Sequence, residues 1–342
     1  LLLDRNELTS GSTWHAAGNV PSFSASWNIL KLQYYSTQLY KEMAVDEAYP
    51  INYHITGSIR LAHSEARMEE FAHVKGMAEY QGIVGYELLD NAQMEEYYPG
   101  LQTHDLCGGL WDPHDGDIDP SQLTQAFCSH ARTMGAKIER FCPVDAITQR
   151  LDGKWVLSTP KGEVVAKTVI NAAGYRGAEV AALIGQHLPI VSMQHQYLVT
   201  ETIDSLDVDN KLPLLRDPDD SYYLRQERDG LLLGPYEWKA TPEWPDGIPD
   251  NFAMDLYEDD LDRLEWYIES ACARVPLLGT VGVQRVINGP IPYAPDGLPL
   301  MGPAYGHDNF YHCCSYSFGI AQAGGSGKIM AEWVLDGCPK WD

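Results

Sequence analysis

The segment ELTSGSTWHAAG, which runs from Glu7 to Gly18, carries the strongest indication of fold and function in this 342-residue chain. Most of its residues are small, and small residues let the backbone approach a flat ligand closely. Trp14 adds an aromatic plane to the segment, and His15 adds a nucleophilic ring nitrogen. A histidine in such a loop is also common as a hydrogen-bonded structural residue, so the segment by itself leaves both interpretations open.

The preceding residues LLLD, Leu1 to Asp4, have the pattern of a buried parallel strand that ends on a carboxylate. In dinucleotide-binding folds, an acidic residue about 20 residues after a glycine-rich turn ends the second strand and binds the ribose hydroxyls. Asp4 fits that place if a first βα unit precedes Leu1. A solvated turn residue is an equal alternative on this pattern alone.

Six further blocks of sequence, taken in order with the first segment, give the chain a family resemblance. It resembles the dimethylglycine and sarcosine dehydrogenases and dimethylglycine oxidase, within the D-amino-acid-oxidase-like FAD-dependent oxidoreductases. The resemblance extends over nearly the whole chain. The glycine-rich dinucleotide turn is absent at the start, and the chain stops where many members continue into a folate-binding portion, so we expect truncation at both ends. The six blocks are Gly108 to Phe127, Thr168 to Gly177, Met193 to Thr200, Ser221 to Glu237, Asn288 to Pro303 and Ser317 to Pro339.

The resemblance implies FAD as cofactor, bonded through its 8α carbon to a ring nitrogen of His15. It also implies that the backbone of Val144 lies against the adenine. Tetrahydrofolate is expected only if a further C-terminal domain exists. Besides His15, the residues expected to bind FAD are Asp4, Ser12, Thr13, Trp14, Gly18, Val144, Ala173, Gly174, Gly319, Gly324, Gly325 and Gly327.

Two glycine-containing stretches suggest how the backbone meets the cofactor. The buried strand that ends at Asn171 to Gly174 can bring bare backbone against a dinucleotide, although an ordinary small-residue turn would look the same. The glycines from Gly319 to Gly327 predict a flexible loop that leads into a helix at KIMAEWVLDG. The positive end of that helix would stabilise the negative charge on the reduced flavin. A C-terminal packing helix with a glycine hinge is the simpler alternative.

The fold class predicted is α/β (α+β), with two domains. Segments 1–45, 105–190 and 285–342 form a discontinuous dinucleotide-binding FAD domain without its first βα unit, and segments 46–104 and 191–284 form an antiparallel-sheet substrate domain. Three short apolar runs between 144 and 170 predict an antiparallel meander. Asp119 and Pro120 predict the capped start of a helix that Gly135 closes.

The residues predicted to be catalytic are His195 and Tyr222. Alternation in Ser221 to Glu227 places Tyr222 on one face of a strand and Tyr223 with Arg225 on the other. The resemblance to dimethylglycine oxidase selects His195 and Tyr222 as the active-site pair, whereas tyrosines in strands are more often core residues. An arginine normally clamps a small carboxylate, but Arg225 lies opposite Tyr222 and is not predicted to be catalytic.

The function implied is oxidation of the C–N bond of a small N-methyl amine or amino acid, dimethylglycine or sarcosine, by hydride transfer to flavin N5. The electron acceptor would be electron-transfer flavoprotein or O2. One alternative is an oxidase of another secondary amine. Another is a non-catalytic regulatory subunit that resembles the regulatory subunit of pyruvate dehydrogenase phosphatase. Retention of His15, His195 and Tyr222 favours an enzyme.

Composition excludes several other classes of function. With 24 Lys and Arg against 48 Asp and Glu, the net charge is −24, which disfavours nucleic acids and anionic membranes. No apolar run approaches the ~18 residues that span a bilayer. Seven scattered cysteines without a CxxC pair, and an acidic loop at 112–120 that lacks the glutamate of a calcium site, predict no metal. We expect a cytoplasmic protein, or one of the mitochondrial matrix if the source is eukaryotic.

Overall fold

The computed structural model describes residues 1–341. Its helices are α1 (Trp27–Ala44), α2 (Glu65–Tyr80), α3 (Asn91–Tyr97), α4 (Pro120–Thr133), α5 (Gly177–Ala182), α6 (Leu261–Arg274) and α7 (Gly319–Asp336). Short 3₁₀ turns cover Ser12–His15, Gly174–Arg176 and Pro276–Thr280. The predicted helix after Asp119 is confirmed as α4, and the Asp119 carboxylate caps it by accepting from the Ser121 and Gln122 N–H groups at 2.9 Å.

The strands form one large sheet and several small ones. They are β1 (Leu2–Leu3), β2 (Tyr53–His54), β3 (Ser58–Ala62), β4 (Glu87–Leu89), β5 (Gly108–Asp112), β6 (Asp117–Ile118), β7 (Ile138–Glu139), β8 (Ala146–Gln149), β9 (Trp155–Thr159), β10 (Gly162–Ala166), β11 (Val169–Asn171), β12 (Val191–Thr200), β13 (Leu214–Asp217), β14 (Tyr222–Glu227), β15 (Gly230–Pro235), β16 (Pro242–Glu243), β17 (Val283–Tyr293), β18 (Leu300–Pro303) and β19 (Phe310–Cys314).

Three of the four small sheets gather around one hydrophobic cluster, and the fourth, β2 with β6, contributes Tyr53 and Ile118 to another. β1 pairs in parallel with β7, and β11 pairs in parallel with β19, so the predicted parallel strand before Asp4 is confirmed. Its predicted burial is not, because Leu1 and Leu2 are exposed and Leu3 is the residue that joins a core cluster. β8, β9 and β10 form the predicted antiparallel meander. Leu3, Val144, Val169 and Phe310 pack into the same cluster, which holds both parallel ladders and the meander together.

The large sheet has nine strands in the order β16-β12-β15-β14-β13-β3-β5-β4, with β17 also paired to β12. Its pairs are antiparallel except for β13 with β3, which are parallel. The fold is therefore of the predicted mixed class. The predicted domain bounds would assign β5 and most of β17 to the FAD domain, whereas both strands pair into this sheet. The division into two domains stays a prediction.

The two faces of the large sheet have different environments. One face packs against α3 and α6, where Met94, Leu264 and Ala271 join Leu224 and Leu233 in the largest core cluster. We call this the core face. The opposite face carries the polar and aromatic side chains described below, and we call it the site face.

The C-terminal helix differs from the prediction of a glycine loop. α7 begins at Gly319, so the glycines that follow are helical and not part of a loop. Gly324 and Gly325 turn their bare faces to α1: a Cβ atom on Gly325 would lie 2.5 Å from the Leu32 carbonyl oxygen, and one on Gly324 would lie 3.0 Å from the Ser36 Cα. The glycines serve close helix packing, which outweighs their low helix propensity.

Candidate active site

The loop predicted to attach the flavin is held against the large sheet at both ends. Its first turn, Ser12–His15, is tied to β17 because the Ser12 hydroxyl donates to the Pro290 carbonyl oxygen at 2.5 Å. Its end is tied to β14 because the Arg225 guanidinium donates to the Ala17 carbonyl oxygen at 2.8 and 3.1 Å. Gly18 has φ of 76°, and a Cβ atom there would lie 2.2 Å from the Ile118 oxygen, so only glycine fits.

His15 is placed by this loop with one ring nitrogen free. Its side chain is buried, with 6% exposure, and its Nε2 has no hydrogen-bond partner within residues 1–341. The imidazole lies directly over the backbone of Gly289 on β17. Burial lowers the pKa of His15 to about 4. The ring is therefore neutral at pH 7 and has a nitrogen lone pair available.

His195 lies next to His15 on the site face. On β12 it stands opposite Gly289, the residue on which the His15 ring is seated. Its ring packs edge-on against Tyr236, with centroids 6.0 Å apart. Burial, with smaller contributions from the charges of Arg263 and His15, lowers the pKa of His195 to about 4. A neutral imidazole at this position can accept a proton.

The structure does not bring Tyr222 to His195. Tyr222 points to the core face, is 1% exposed, and its hydroxyl has no partner among the described residues. Tyr223 points to the site face, where it packs with Tyr197 and Tyr236. The predicted pairing of Tyr222 with His195 is not seen, because alternation separates the two faces of a strand without saying which one meets the ligand.

An aromatic wall that the sequence reasoning missed connects His195 with α7. Tyr236 follows β15 and contacts Phe318, the residue before α7, with ring centroids 5.8 Å apart. Tyr223 lies over Gly234, which leaves room for its ring because a Cβ there would be 2.1 Å from the Tyr223 Cζ. The small residue opposite Tyr223 was the one local signal that could have favoured it over Tyr222.

Two carboxylates of the acidic loop at 112–120, Asp115 and Asp117, are paired with protein cations. Asp115 is fully buried and accepts from the Arg216 Nε at 2.7 Å and from its Nη2 at 2.9 Å. Asp117 accepts from Lys211 at 3.2 Å and lies 3.0 Å from the His54 Nδ1. These ion pairs fix the loop against the site face.

The predicted FAD-binding residues fall into three groups. Asp4, Val144, Ala173 and Gly174 lie around the two parallel ladders, where Asp4 is half-buried and Ala173 is exposed at the end of β11. Gly319 begins α7 beside the aromatic wall. The structure does not leave Gly324 and Gly325 open to a ligand, because α1 covers them, and Gly327 is exposed. The remaining residues, Ser12, Thr13, Trp14, His15 and Gly18, lie in the attachment loop.

The start of α7 is shaped by two side chains of α1. The Tyr40 hydroxyl donates to the Ile320 carbonyl oxygen at 2.7 Å and accepts from the Gly324 N–H at 3.1 Å. The Ser36 hydroxyl accepts from the Gly325 N–H at 2.9 Å. α1 therefore holds the first turn of α7, whose free N–H groups carry the positive end of the helix dipole.

Comparison with known proteins decides the family. A family model described as FAD dependent oxidoreductase matches residues 1–333. The chain belongs to this family. It is 40% identical over 348 residues to human mitochondrial dimethylglycine dehydrogenase, and 31% identical over 349 residues to human mitochondrial sarcosine dehydrogenase. Both alignments cover all of this chain, which spans 40% and 37% of the length of those two relatives.

Solved structures confirm the fold class. L-proline dehydrogenase from P. horikoshii superposes with a TM-score of 0.86 over 98% of this chain and 86% of that one, at 21% sequence identity. At that identity the likeness concerns the fold. Among residues 1–341, no helix has both the length and the apolar character needed to cross a membrane.

The residues present fit the flavin that the family implies. The unpaired and buried Nε2 of His15 offers an attachment point of the predicted kind. The start of α7, next to Phe318, offers N–H groups for a partly anionic ring edge. Asp4 follows a parallel strand, as a ligand of ribose hydroxyls should.

Proposed function

We propose that this chain is the flavin-bearing part of an enzyme that oxidises the C–N bond of a small N-methyl amino acid, with FAD attached covalently through His15. Dimethylglycine and sarcosine are the candidate substrates, and electron-transfer flavoprotein or O2 is the electron acceptor. The observation that carries the proposal is the position of His15: buried, neutral, unpaired at Nε2, and next to His195. The similarity to relatives named dimethylglycine and sarcosine dehydrogenases supports the substrate class.

The protein residues have separate tasks in this reaction. When bound, FAD supplies the acceptor for two electrons. Free amines are protonated in water, so the site must favour the neutral amine, and burial of the site next to the neutral His195 does this. His195 is the first acceptor of the proton that the amine loses, and it passes that proton on to solvent because an imidazole with a pKa of about 4 does not hold it at pH 7. The rings of Tyr223, Tyr236 and Phe318 exclude water around the amine.

Covalent attachment is tested by acid precipitation of the FAD-loaded protein. We expect the washed pellet to keep the flavin absorbance, and His15→Ala to lose it. In the control His187→Ala, which changes a histidine outside the attachment loop and outside the strands of the site, the flavin should stay in the pellet. A colourless wild-type pellet from a loaded preparation would refute attachment through His15.

The substrate class is tested by anaerobic mixing of the loaded protein with dimethylglycine, sarcosine, proline and betaine. We expect one of the first two to bleach the flavin fastest. Betaine should not bleach it, because its quaternary nitrogen has no lone pair. A flavin that none of the secondary or tertiary amines reduces would favour the non-catalytic regulatory role instead.

A further inference from the structure

Among the described residues, Arg60 is the one arginine near the site face whose side chain is largely buried and makes no hydrogen bond. Its side chain is 11% exposed, and its Nε is buried without a partner. The guanidinium carbon lies over the Phe23 ring, 4.0 Å from the ring centroid. This cation–π contact does not use the N–H donors of the group.

The strand register places Arg60 in the same cross-strand row as Tyr223, one of the aromatic residues of the site. Arg60 on β3 stands beside Arg216 on β13, which stands opposite Tyr223 on β14. All three side chains point to the site face. The charges of Arg216 and Arg60 both act on the Tyr236 hydroxyl and lower its pKa, against the larger opposing effect of burial. Tyr236 therefore lies between these arginines and His195, which packs against its ring edge.

Arg60 shares its nearest anion, Asp115, with Arg216. Asp115 makes its two short hydrogen bonds to Arg216, and its nearer contact to Arg60 is 3.9 Å, to Nη2. Asp112 accepts from the Ser22 hydroxyl at 3.0 Å and from the His114 N–H at 2.9 Å. Burial and the neighbouring Asp115 raise the pKa of Asp112, which moves this carboxyl toward its neutral form.

We propose that Arg60 binds the carboxylate of the substrate. A guanidinium with free parallel N–H groups is suited to a carboxylate, which it holds by two hydrogen bonds. This assignment rests on the proposed function and adds to it the residue that would select an N-methyl amino acid over a simple amine. Arg225, the arginine considered from sequence, cannot take this role because Ala17 and Glu227 already occupy its donors.

The test compares two probes in the flavin-loaded protein. Dimethylglycine carries the carboxylate, and N,N-dimethylethylamine has the same dimethylamino group with a methyl group in place of the carboxylate. The dissociation constant for each is obtained from the dependence of the anaerobic flavin reduction rate on its concentration. The signal comes only from flavin-loaded molecules, so incomplete loading of a variant does not affect the constant.

The expected results distinguish a carboxylate site from general damage. For Arg60→Met, the constant for dimethylglycine should rise at least about 30-fold, because a buried charged hydrogen-bonded pair loses one partner. Arg60→Lys, which keeps the charge without the fork, should raise it by about 10-fold. The constant for N,N-dimethylethylamine should stay within about 3-fold of wild type in both variants. Arg150→Met is the control, since the Arg150 side chain is 56% exposed and its one ion pair among residues 1–341 is with Asp152.

Two results would overturn the assignment: an unchanged constant for dimethylglycine in Arg60→Met, or an equal rise for both probes. Betaine separates this assignment from the proposed function, because its binding shifts the flavin spectrum without oxidation. If dimethylglycine fails to reduce the wild type but betaine binds and Arg60→Met weakens it at least about 30-fold, the oxidation is wrong and the carboxylate site stands. If dimethylglycine reduces both proteins with equal constants, the oxidation stands and the site is wrong.

Discussion

Gly289→Ala should displace His15 without changing any chemical group of the site. The added Cβ would lie 2.6 Å from the His15 Cε1, 2.7 Å from its Nε2 and 2.8 Å from its Nδ1. Non-bonded heavy atoms settle at about 3.5–4.0 Å, so the imidazole or β17 must move by roughly 1 Å. The φ angle of Gly289 lies outside the left-handed region, so the effect comes from this contact and not from backbone strain.

Two measurements follow from this displacement. A misplacement of about 1 Å in a reacting group can cost roughly 100-fold in rate, so covalent incorporation of FAD should slow by about that factor. Overpacking of a filled site should also lower the free energy of unfolding by about 1–3 kcal/mol. The first is measured by incubating apoprotein with FAD, quenching in acid at intervals and reading the flavin in the washed pellet. The second is measured by urea denaturation of the apoprotein.

Gly279→Ala is the matched control. Its Cβ would meet the Cys272 Sγ at 3.5 Å, an ordinary contact, so neither the rate nor the stability should change. If Gly289→Ala incorporated flavin at the wild-type rate and unfolded at the same urea concentration, His15 could not be seated on β17 as described. The His15 Nε2 could then not be the free, fixed attachment point for FAD either.

Three more predictions concern the tyrosines and His195. Tyr40→Phe should lower the free energy of unfolding by about 1–3 kcal/mol in urea denaturation, since it unpairs two buried backbone groups of α7. Tyr223→Leu, which removes a ring that excludes water from the amine, should slow anaerobic flavin reduction at least about 10-fold, whereas Tyr222→Leu on the core face should leave the rate unchanged; the reverse order would contradict the assignment of faces. Folding lowers the pKa of His195 from about 6.5 to about 4. As the pH falls through this range, the His195 side chain therefore binds a proton in the unfolded chain before it does so in the folded one. Stability should therefore decrease between pH 6.5 and 4, and less steeply in His195→Asn when urea midpoints are compared across that range.

Features that depend on near neighbours in sequence could be predicted. The Asp119 cap and Gly135 set the ends of α4, and turns at short intervals set the meander from β8 to β10. The small residues from Ser10 to Gly18 marked the loop that holds His15. In each case the signal and the structure it describes lie within a few residues of one another.

Glycine positions were predicted less well, because one property of glycine serves two purposes. The absence of a side chain permits a flexible loop, and it also permits two helices to touch. Gly324 and Gly325 serve the second purpose, against Leu32 and Ser36 of α1. Only the position of α1, almost 290 residues earlier in the chain, distinguishes the two.

The chain itself thus determined the strand that contains Tyr222 and Tyr223, the alternation of their side chains, and the histidine at position 15. Tertiary structure decided that Tyr223 and His195 both pack against Tyr236, that Arg225 donates to the Ala17 carbonyl oxygen, and that the Arg60 Nε has no hydrogen-bond partner among residues 1–341. The physical reason is that alternation fixes only the relative direction of neighbouring side chains. Which face meets the site depends on the register of β14 with β13 and β15 and on the helices that cover the opposite face.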